Sequence, residues 1–286
     1  MTEAGQAGIP HAQRLRLGAE LRRLRRLSGL SGRDVASHIG ASQAHVSRVE
    51  SGQAVPPLPQ VAAWADAVSA PDEARAVLAA LTEAALNEVD SWRARYGAGL
   101  SAMQRDIGAL EATAGASRHF QPAIVPGLLQ TAEYARRVFE ITDVRDWGDL
   151  AGAVAVRVER QQVLHRPGKR FEFLLTEAAI RLRVGLPHVM RGQADHIASL
   201  MSLDNVDIGV VPLQADAQVV PWCGFHLYDE LPEGQNPFVT IEMPHARLTV
   251  SDPGDVAIYQ QQLDAIRRAA LHGRDARLLL EDIARS

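Results

Sequence analysis

The segment SQAHVSRVE, residues 42–50, combines side chains that can read base pairs with the spacing of one exposed helix face. Gln43 can form two hydrogen bonds with adenine and Arg48 two with guanine, in both cases in the major groove of DNA. Ala44 and His45 fall on the same outward face of the predicted helix. We therefore predict that the base contacts come from Gln43, Ala44, His45 and Arg48.

Groups that can hold phosphates lie at the starts of two predicted helices. Ser42 is placed to cap the helix that carries Gln43, and Ser31 to cap the preceding helix, with Asp34 at the capping-box spacing. The N-terminus of a capped helix favours an anion such as phosphate. The predicted contacts with the DNA backbone are Ser31, Gly32, Arg33, Ser42 and Ser47.

Three helices must position these side chains. Apolar residues recur at helical spacing, which predicts a shared core beneath the polar faces. The core positions are Leu17, Leu21, Leu24 and Leu27 in the first helix, Val35, Ala36 and Ile39 in the second, and Val46 and Val49 in the third. Gly29 is predicted to end the first helix.

The connection between the second and third helices is very short. Only Gly40 and Ala41 stand between the second helix and the cap residue of the third, so the two helices must cross steeply. Gly40 can adopt the positive φ that such a turn requires, and Ala36 is small where the helices approach. This spacing predicts a helix-turn-helix with the third helix as its reader.

Charge is distributed unevenly along the 286 residues. Residues 1–60 contain eight arginines and four acidic residues, a net charge of +4, so the remainder must carry −8 to reach the total of −4. A basic end on an acidic body is typical of a polyanion-binding module attached to another domain. An exposed helix face that happens to use arginine is the alternative.

Composition and cysteine usage exclude several classes of protein. The single cysteine, Cys223, excludes an internal disulfide framework, and no apolar run approaches the ~20 residues of a membrane-spanning helix. The N-terminus lacks the apolar core of a signal peptide, so we expect a cytoplasmic protein without membrane association. Cys223, His226 and His245 do not complete a metal-ligand pattern. We predict no metal and no cofactor.

Residues 17–56 resemble the lambda-repressor-like DNA-binding domain of the phage-repressor and Xre family. The resemblance rests on LRRLRRLSGLS, DVASHIG and S-x-x-x-V-S-R-V-E-S-G, followed by a proline. It implies an all-α domain and an ion pair between Arg25 and Glu50. Members often have a phosphate-binding glutamine after the cap serine; this chain has Gly32 there, so that contact must come from the backbone N–H or from Arg33.

The remainder of the chain predicts a larger domain that contains both helices and strands. Residues 71–97 have the pattern of one long helix, and alternating β-branched and aromatic residues predict strands in FEFLL, VDIGVVPL, FHLYDEL, PFVTIEM and ARLTVSD. The fold class is α+β: an all-α helix-turn-helix domain followed by an α/β domain with a mixed sheet. The predicted domains are a DNA-binding domain (11–70), a helical linker (71–100) and an effector or partner-binding domain (101–286).

This second part resembles the uncharacterised C-terminal domain of Xre-type regulators, including WhiJ-like proteins. The motifs are QPAIVPGLLQTAEYA, RVERQQVL, TEAAIR and VVP, in that order. The resemblance implies that the domain binds a signal or a small partner protein encoded nearby. Neutralisation of that partner in an antitoxin-like role, with DNA binding for autoregulation, is the alternative function.

No catalytic constellation is evident in the sequence. The only lysine, Lys169, has no histidine two residues before it, which excludes phospholipase-D-like chemistry, and hydrolase, P-loop and zinc-protease motifs are missing. We therefore expect no enzymatic activity. An anion-binding effector pocket is a further candidate, and a structural Arg/Glu network is its alternative; the residues are Arg157, Arg160, Glu177 and Arg181. We expect a homodimer on double-stranded DNA, because one such module buries too little surface for tight selective binding.

Overall fold

A computed structural model describes residues 12–92, 99–142, 148–232 and 235–285. The chain divides into two compact units. Of the described residues, the first comprises 12–89, 235–236 and 249–255, and the second comprises the others. In the described ranges, no helix combines the length and apolarity needed to cross a membrane.

The first unit is a bundle of five helices around one apolar core. Their bounds are α1 (Ala12–Leu27), α2 (Gly32–His38), α3 (Gln43–Glu50), α4 (Leu58–Ala67) and α5 (Asp72–Leu86). The core contains the predicted Leu17, Leu21, Leu24, Val35, Ala36, Val46 and Val49 together with Val61, Trp64 and Leu78. Ile39 is only partly buried against this core. The helical periodicity of the sequence therefore predicts most of the packing.

Two expectations for this region differ from the structure. Leu27 was expected in the apolar stripe, but it is 73% exposed because it is the last residue of α1 and extends beyond the core. The helix expected over residues 71–97 ends at Leu86, where strand β1 (Asn87–Ser91) begins. Helix α5 falls within the stretch expected to be a linker, yet its Leu78 and Ala85 belong to the core of the first unit.

Both helices and strands form the rest of the chain. The helices are α6 (Leu100–Thr113), α7 (Ala132–Thr142), α8 (Leu150–Arg160), α9 (Glu177–Arg181), α10 (Pro187–Leu200), α11 (Pro253–Ala269) and α12 (Gly273–Arg285). Strands β2 (Ala116–Gln121), β3 (Arg170–Thr176), β4 (Val206–Val211), β5 (Phe225–Asp229), β6 (Phe238–Glu242) and β7 (Ala246–Val250) complete the set. The five predicted strands are confirmed as β3 to β7, and the strand-to-helix passage into α9 is also confirmed.

The strands form one mixed seven-stranded sheet in the described ranges, in the order β1-β7-β6-β5-β2-β3-β4. Strands β2, β3 and β4 are parallel, with Phe120 opposite Leu174 and Leu174 opposite Gly209. Strand β5 runs antiparallel to both β2 and β6. This arrangement confirms the mixed sheet and the α+β class.

Two apolar clusters fix the helices of the second unit. The larger one joins β3 and β4 to helices α10 and α12, with Phe173, Ile208, Ile197 and Leu280 almost completely buried. The smaller one joins α6, α7 and α8 through Leu100, Phe139, Ala153 and Val154. This smaller cluster determines where the last turn of α8, with its two arginines, lies.

Candidate functional site

Helix α2 begins with a complete capping box. The Ser31 hydroxyl accepts a hydrogen bond from the Asp34 backbone N–H (3.3 Å), and the Asp34 carboxylate accepts one from the Ser31 backbone N–H (2.8 Å). The pKa of Asp34 is lowered, and the largest cause is a hydrogen bond with the Ser31 side chain. Because Ser31 and Asp34 bond to each other's backbone N–H groups, the start of α2 is fixed by residues within one helical turn.

The turn between α2 and α3 has the predicted geometry. Gly40 has φ +64°, and the Ala41 N–H donates to the Ala36 carbonyl at 2.9 Å. Ser42 then caps α3 by accepting a hydrogen bond from the His45 backbone N–H at 3.1 Å. The positive φ of Gly40 is a conformation that residues with a Cβ rarely adopt, so the short connection depends on glycine at this position.

Helix α3 has one buried face and one exposed face. Val46 and Val49 are buried in the core, whereas Gln43, Ala44 and Ser47 are exposed. The exposed positions lie between Gln43 and Ser47, in the N-terminal part of the helix. Gly32 at the start of α2 lies beside Gln43, since a Cβ on Gly32 would be 3.8 Å from Gln43 Cγ. One expected backbone-contact residue, Gly32, therefore lies next to one expected base-contact residue, Gln43.

Two of the side chains expected to contact bases, His45 and Arg48, are partly buried. His45 Nε2 lies 2.9 Å from Oε1 of Gln60, which orients the imidazole ring against the first turns of α4. Arg48 is also partly buried, and its Nε forms no hydrogen bond with a group in the described ranges. Arg33, Ser31 and Ser42 are exposed. The His45–Gln60 contact has no signal in the sequence.

A buried ion pair attaches α3 to α1. Glu50 accepts hydrogen bonds from Arg25 Nε (2.5 Å) and Nη2 (2.9 Å), and from Arg22 Nε at 3.2 Å. The remaining Arg25 nitrogen, Nη1, donates to the Leu30 carbonyl at 3.1 Å. The pair expected between Arg25 and Glu50 is therefore present, and Arg22 adds a contact that was not expected.

Gly18 permits α1 and α3 to approach closely at this point. A Cβ on Gly18 would lie 2.5 Å from the Val49 carbonyl oxygen and 3.0 Å from that of Glu50. Backbone atoms cannot move aside as a flexible side chain can, so any larger residue would force the two helices apart. Glycine at this position thus supports the orientation of the reader helix.

The second unit contains a cavity of about 460 Å³. Most of its wall is apolar, with Ile107, Ile124, Val138 and Met243 among the lining residues. Trp92 also lines it, and its indole N–H donates to the Met243 carbonyl at 2.7 Å. A cavity of this size and character is within the range that binds small organic molecules.

Two of the four expected pocket residues, Arg157 and Arg160, line this cavity. Arg157 Nε donates to Gln104 Oε1 (3.0 Å) and its Nη1 to Gln130 Oε1 (2.7 Å), and the guanidinium carbon lies 4.0 Å from the centroid of the Phe139 ring. Burial, followed by the charge of Arg160, lowers the pKa of Arg157 to about 9. Neutral amides and a ring therefore hold this partly buried cation.

Arg160 is paired with a carboxylate that sequence reasoning missed. Its Nη2 lies 3.4 Å from Oε1 of Glu111, whose side chain is only 1% exposed. Burial is the largest cause that raises the pKa of Glu111, to about 7, although the charge of Arg160 opposes it. Glu111 and Gln104 lie on α6, far from Arg160 in sequence, and no local pattern identifies them as its neighbours.

The other two expected residues, Glu177 and Arg181, do not join this cluster. Glu177 accepts hydrogen bonds from Arg181 Nε (2.6 Å) and from the Leu213 backbone N–H (2.9 Å) at the carboxyl end of β3. Arg181 also lies 3.6 Å from Asp282 of α12. Neither residue is among those that line the cavity.

Two of the four family motifs quoted above, QPAIVPGLLQTAEYA and RVERQQVL, contribute residues to the cavity wall. Gln130 Nε2 donates to the Val125 carbonyl at 2.7 Å, and Gln161 Nε2 donates to the Gly127 and Gln130 carbonyls at 3.0 and 2.7 Å. A Cβ on Gly127 would be 2.5 Å from Arg160 Nη2, so this glycine makes room for the guanidinium. The segments QPAIVPGLLQ and RVERQQ are thus tied together around the two arginines.

Metal-binding geometry does not occur among the described residues, which contain no group of three or more potential ligands. His226 of β5 is buried instead against His119, with ring centroids 4.6 Å apart. Burial lowers the pKa of His226, which favours its neutral form where it lines the cavity. Cys223 is partly buried and unbridged.

Comparison with known protein families identifies both units. Residues 16–78 match the family described as "Helix-turn-helix domain", a range that includes half of α5. Residues 104–282, more than half of the chain, match "Domain of unknown function (DUF5753)". No curated protein and no solved structure matches the chain significantly. The chain belongs to the DUF5753 family and carries a helix-turn-helix domain, which indicates a DNA-binding regulator.

Proposed function

We propose that this protein is a sequence-specific transcriptional regulator in which α3 enters the major groove of DNA. The observation that carries the proposal is the geometry of α3: a capped helix whose inner face is buried and whose outer face exposes Gln43, Ala44 and Ser47. The net charge of +4 over residues 1–60 supports it, because phosphate neutralisation supplies much of the affinity for DNA.

The exposed side chains have complementary roles in this proposal. Gln43 bonds adenine, Arg48 bonds guanine, and the methyl group of Ala44 contacts thymine. His45, oriented by Gln60, contacts a base edge next to these. The backbone of DNA is held by the hydroxyls of Ser31, Ser42 and Ser47, the N–H of Gly32 and the guanidinium of Arg33, which fix the register without reading sequence.

The second unit acts in this proposal as a non-enzymatic effector module, and the protein binds a two-fold operator as a homodimer. Binding to a small protein encoded nearby, including the antitoxin-like role, is favoured by one observation: the segment between β4 and β5 exposes Leu213, Val220 and Trp222, which are 62%, 70% and 92% exposed. Exposed apolar patches suit protein partners. Co-expression with the neighbouring gene tests this role, and failure of the two proteins to co-purify would contradict it.

Substitution of Arg48 tests the proposed reading of DNA. We expect Arg48→Ala to weaken binding to the gene's own upstream region by about 1–3 kcal/mol, because a bidentate guanine contact is lost. Fluorescence anisotropy titrations of the full-length protein measure this change. The matched control is Arg16→Ala, an exposed arginine on α1 that carries the same charge and is not expected at a base.

The control separates loss of charge from loss of a base contact. Arg16→Ala should change affinity for upstream and scrambled DNA by the same factor, whereas Arg48→Ala should reduce the preference for upstream DNA. If Arg48→Ala bound upstream DNA and scrambled DNA each as tightly as the unsubstituted protein does, Arg48 would not be a base-contact residue.

A further inference from the structure

The wall of the cavity in the second unit is mostly apolar and contains two neighbouring arginines. Arg157 uses two of its three guanidinium nitrogens on the amides of Gln104 and Gln130, and its Nη2 donates to no group in the described ranges. Arg157 also forms no ion pair with a carboxylate there. The cation is thus oriented by neutral amides, while the carboxylates of Glu242 and Glu111 act on it without a direct ion pair.

Arg160 is similarly incomplete. Apart from the contact of its Nη2 with Glu111, its Nε and Nη1 are buried and donate to no group in the part of the chain that the structure describes. The Oε2 of Glu111 and the Nε2 of Gln104 are likewise buried without a partner there. Buried polar atoms are nearly always hydrogen-bonded in folded proteins, so this concentration of unsatisfied donors beside a cavity points to a ligand.

The chemistry of the wall defines the class of ligand. Guanidinium groups bind carboxylates and phosphates through parallel hydrogen bonds. Burial favours the neutral form of His226, which also lines the cavity. Glu242 lines the cavity too, and its negative charge acts to raise the pKa of Arg157, but in the described ranges it forms no ion pair with Arg157 or Arg160. The lining residues Met103, Ile107 and Ile124 have apolar side chains that can contact an apolar body.

We propose that this cavity binds a small amphipathic organic anion, with its charged head against Arg157 and Arg160 and its apolar body along Met103, Ile107 and Ile124. The volume of about 460 Å³ accommodates one such molecule. Resting on the function proposed above, we further assign this anion as the signal that changes the affinity of the protein for DNA.

Isothermal titration calorimetry of the full-length protein tests the binding site directly. The probes are decanoate and decyl phosphate, which share an apolar chain and differ in the anionic head, and decan-1-ol, which lacks the charge. We expect at least one anion to bind and decan-1-ol to bind at least about 10-fold more weakly, because hydrogen bonds to charged groups dominate recognition at the cationic end. The stronger of the two anions identifies the head group.

Three variants connect binding to the named residues. Arg157→Gln should weaken anion binding by about 10-fold or more, whereas the matched control Arg191→Gln, an exposed arginine on α10, should leave it unchanged. Gly127→Ala should also weaken binding while it retains both arginines, because its Cβ displaces the Arg160 guanidinium. This variant keeps the test valid if Arg157→Gln fails to fold, which circular dichroism checks.

The outcomes distinguish the site from its regulatory role. Binding of neither anion, equal binding of decan-1-ol, or unchanged affinity in both Arg157→Gln and Gly127→Ala would overturn the proposed site. Anion binding without any change in DNA affinity would overturn only the assignment as a signal. Anion binding by a protein that shows no sequence preference for DNA would contradict the proposed function and leave the site intact.

Discussion

Each unit of the protein buries an arginine–glutamate pair, and the two pairs differ in how fully their hydrogen bonds are satisfied. In the first unit, both carboxylate oxygens of Glu50 and all three guanidinium nitrogens of Arg25 have partners. In the second unit, Arg160 and Glu111 share one contact of 3.4 Å, and three of their other polar atoms are buried without one.

The difference separates a structural pair from one suited to binding. Complete hydrogen bonding with good geometry offsets the cost of removing two charges from water, so the Arg25–Glu50 pair can fix α3 on α1. The Arg160–Glu111 pair leaves that cost only partly offset, and it lies at a cavity. We interpret the first pair as part of the scaffold of the reader helix and the second as part of a ligand site.

The largest effect is expected when the satisfied pair is broken. Glu50→Ala should lower the free energy of unfolding of the first unit by about 3 kcal/mol, because it leaves the partly buried Arg25 without a carboxylate. Chemical denaturation followed by circular dichroism measures the change. DNA binding should fall in parallel, since α3 loses its attachment to α1.

The matched control for this substitution is Glu20→Ala. Glu20 forms an ion pair with Arg23 on the exposed surface of α1 at 2.6 Å. Solvent screens such a pair, so the control should lose only a small fraction of the stability lost in Glu50→Ala. If the two variants were equally stable, the Arg25–Glu50 pair would not be the attachment that we infer.

The contribution of the Arg160–Glu111 pair to stability should depend on pH. Burial raises the pKa of Glu111 from 4.5 to about 7 in the folded protein. The folded state therefore binds more protons than the unfolded state between these values, and Glu111 destabilises the fold progressively as pH rises through this window. The full effect is roughly 3 kcal/mol.

Glu111→Gln removes the ionisable group and tests whether its ionisation destabilises the fold as the pH rises. Relative to the unsubstituted protein, the variant should gain stability as the pH rises from 4.5 to about 7, and the difference should be constant below 4.5. Urea unfolding at several pH values measures it. A difference that is independent of pH, or that shrinks as the pH rises, would show that Glu111 is not held in a costly buried position.

Sequence reasoning predicts the first unit well because its signals are local. The caps Ser31 and Ser42, the turn at Gly40 and the apolar spacing in α1 to α3 all act within a few residues of where they are read. Even so, the sequence does not indicate that His45 is held by Gln60, fifteen residues away.

The second unit shows where such reasoning ends. Strand β2 was missed, and β1 was read as helix; both lie among helical patterns, and β2 gains its partners β3 and β5 only from distant parts of the chain. The sequence analysis grouped Glu177 with Arg157 and Arg160, whereas Glu111 is the carboxylate that lies beside Arg160. The partners of β2 and the partner of Arg160 lie far away in sequence, so the fold rather than a local pattern determines which residues meet.

The C-terminal boundary of the first unit also depends on tertiary packing. The pattern of residues 71–86 is helical but does not indicate what the helix packs against. In the structure, Leu78 and Ala85 contribute to the same core as Trp64, and the matched helix-turn-helix region extends to residue 78. Helical periodicity predicts an apolar face, whereas the partner of that face is a property of the fold.

The most direct test of the proposed regulator is a footprint of the purified protein on its own upstream DNA. We expect two protected half-sites separated by about one helical turn, as for a dimer with two reader helices, and protection that weakens steeply between ~0.05 and ~0.2 M salt. Absence of a protected site at low salt, or equal protection of scrambled DNA, would contradict the assignment of α3 as a sequence reader.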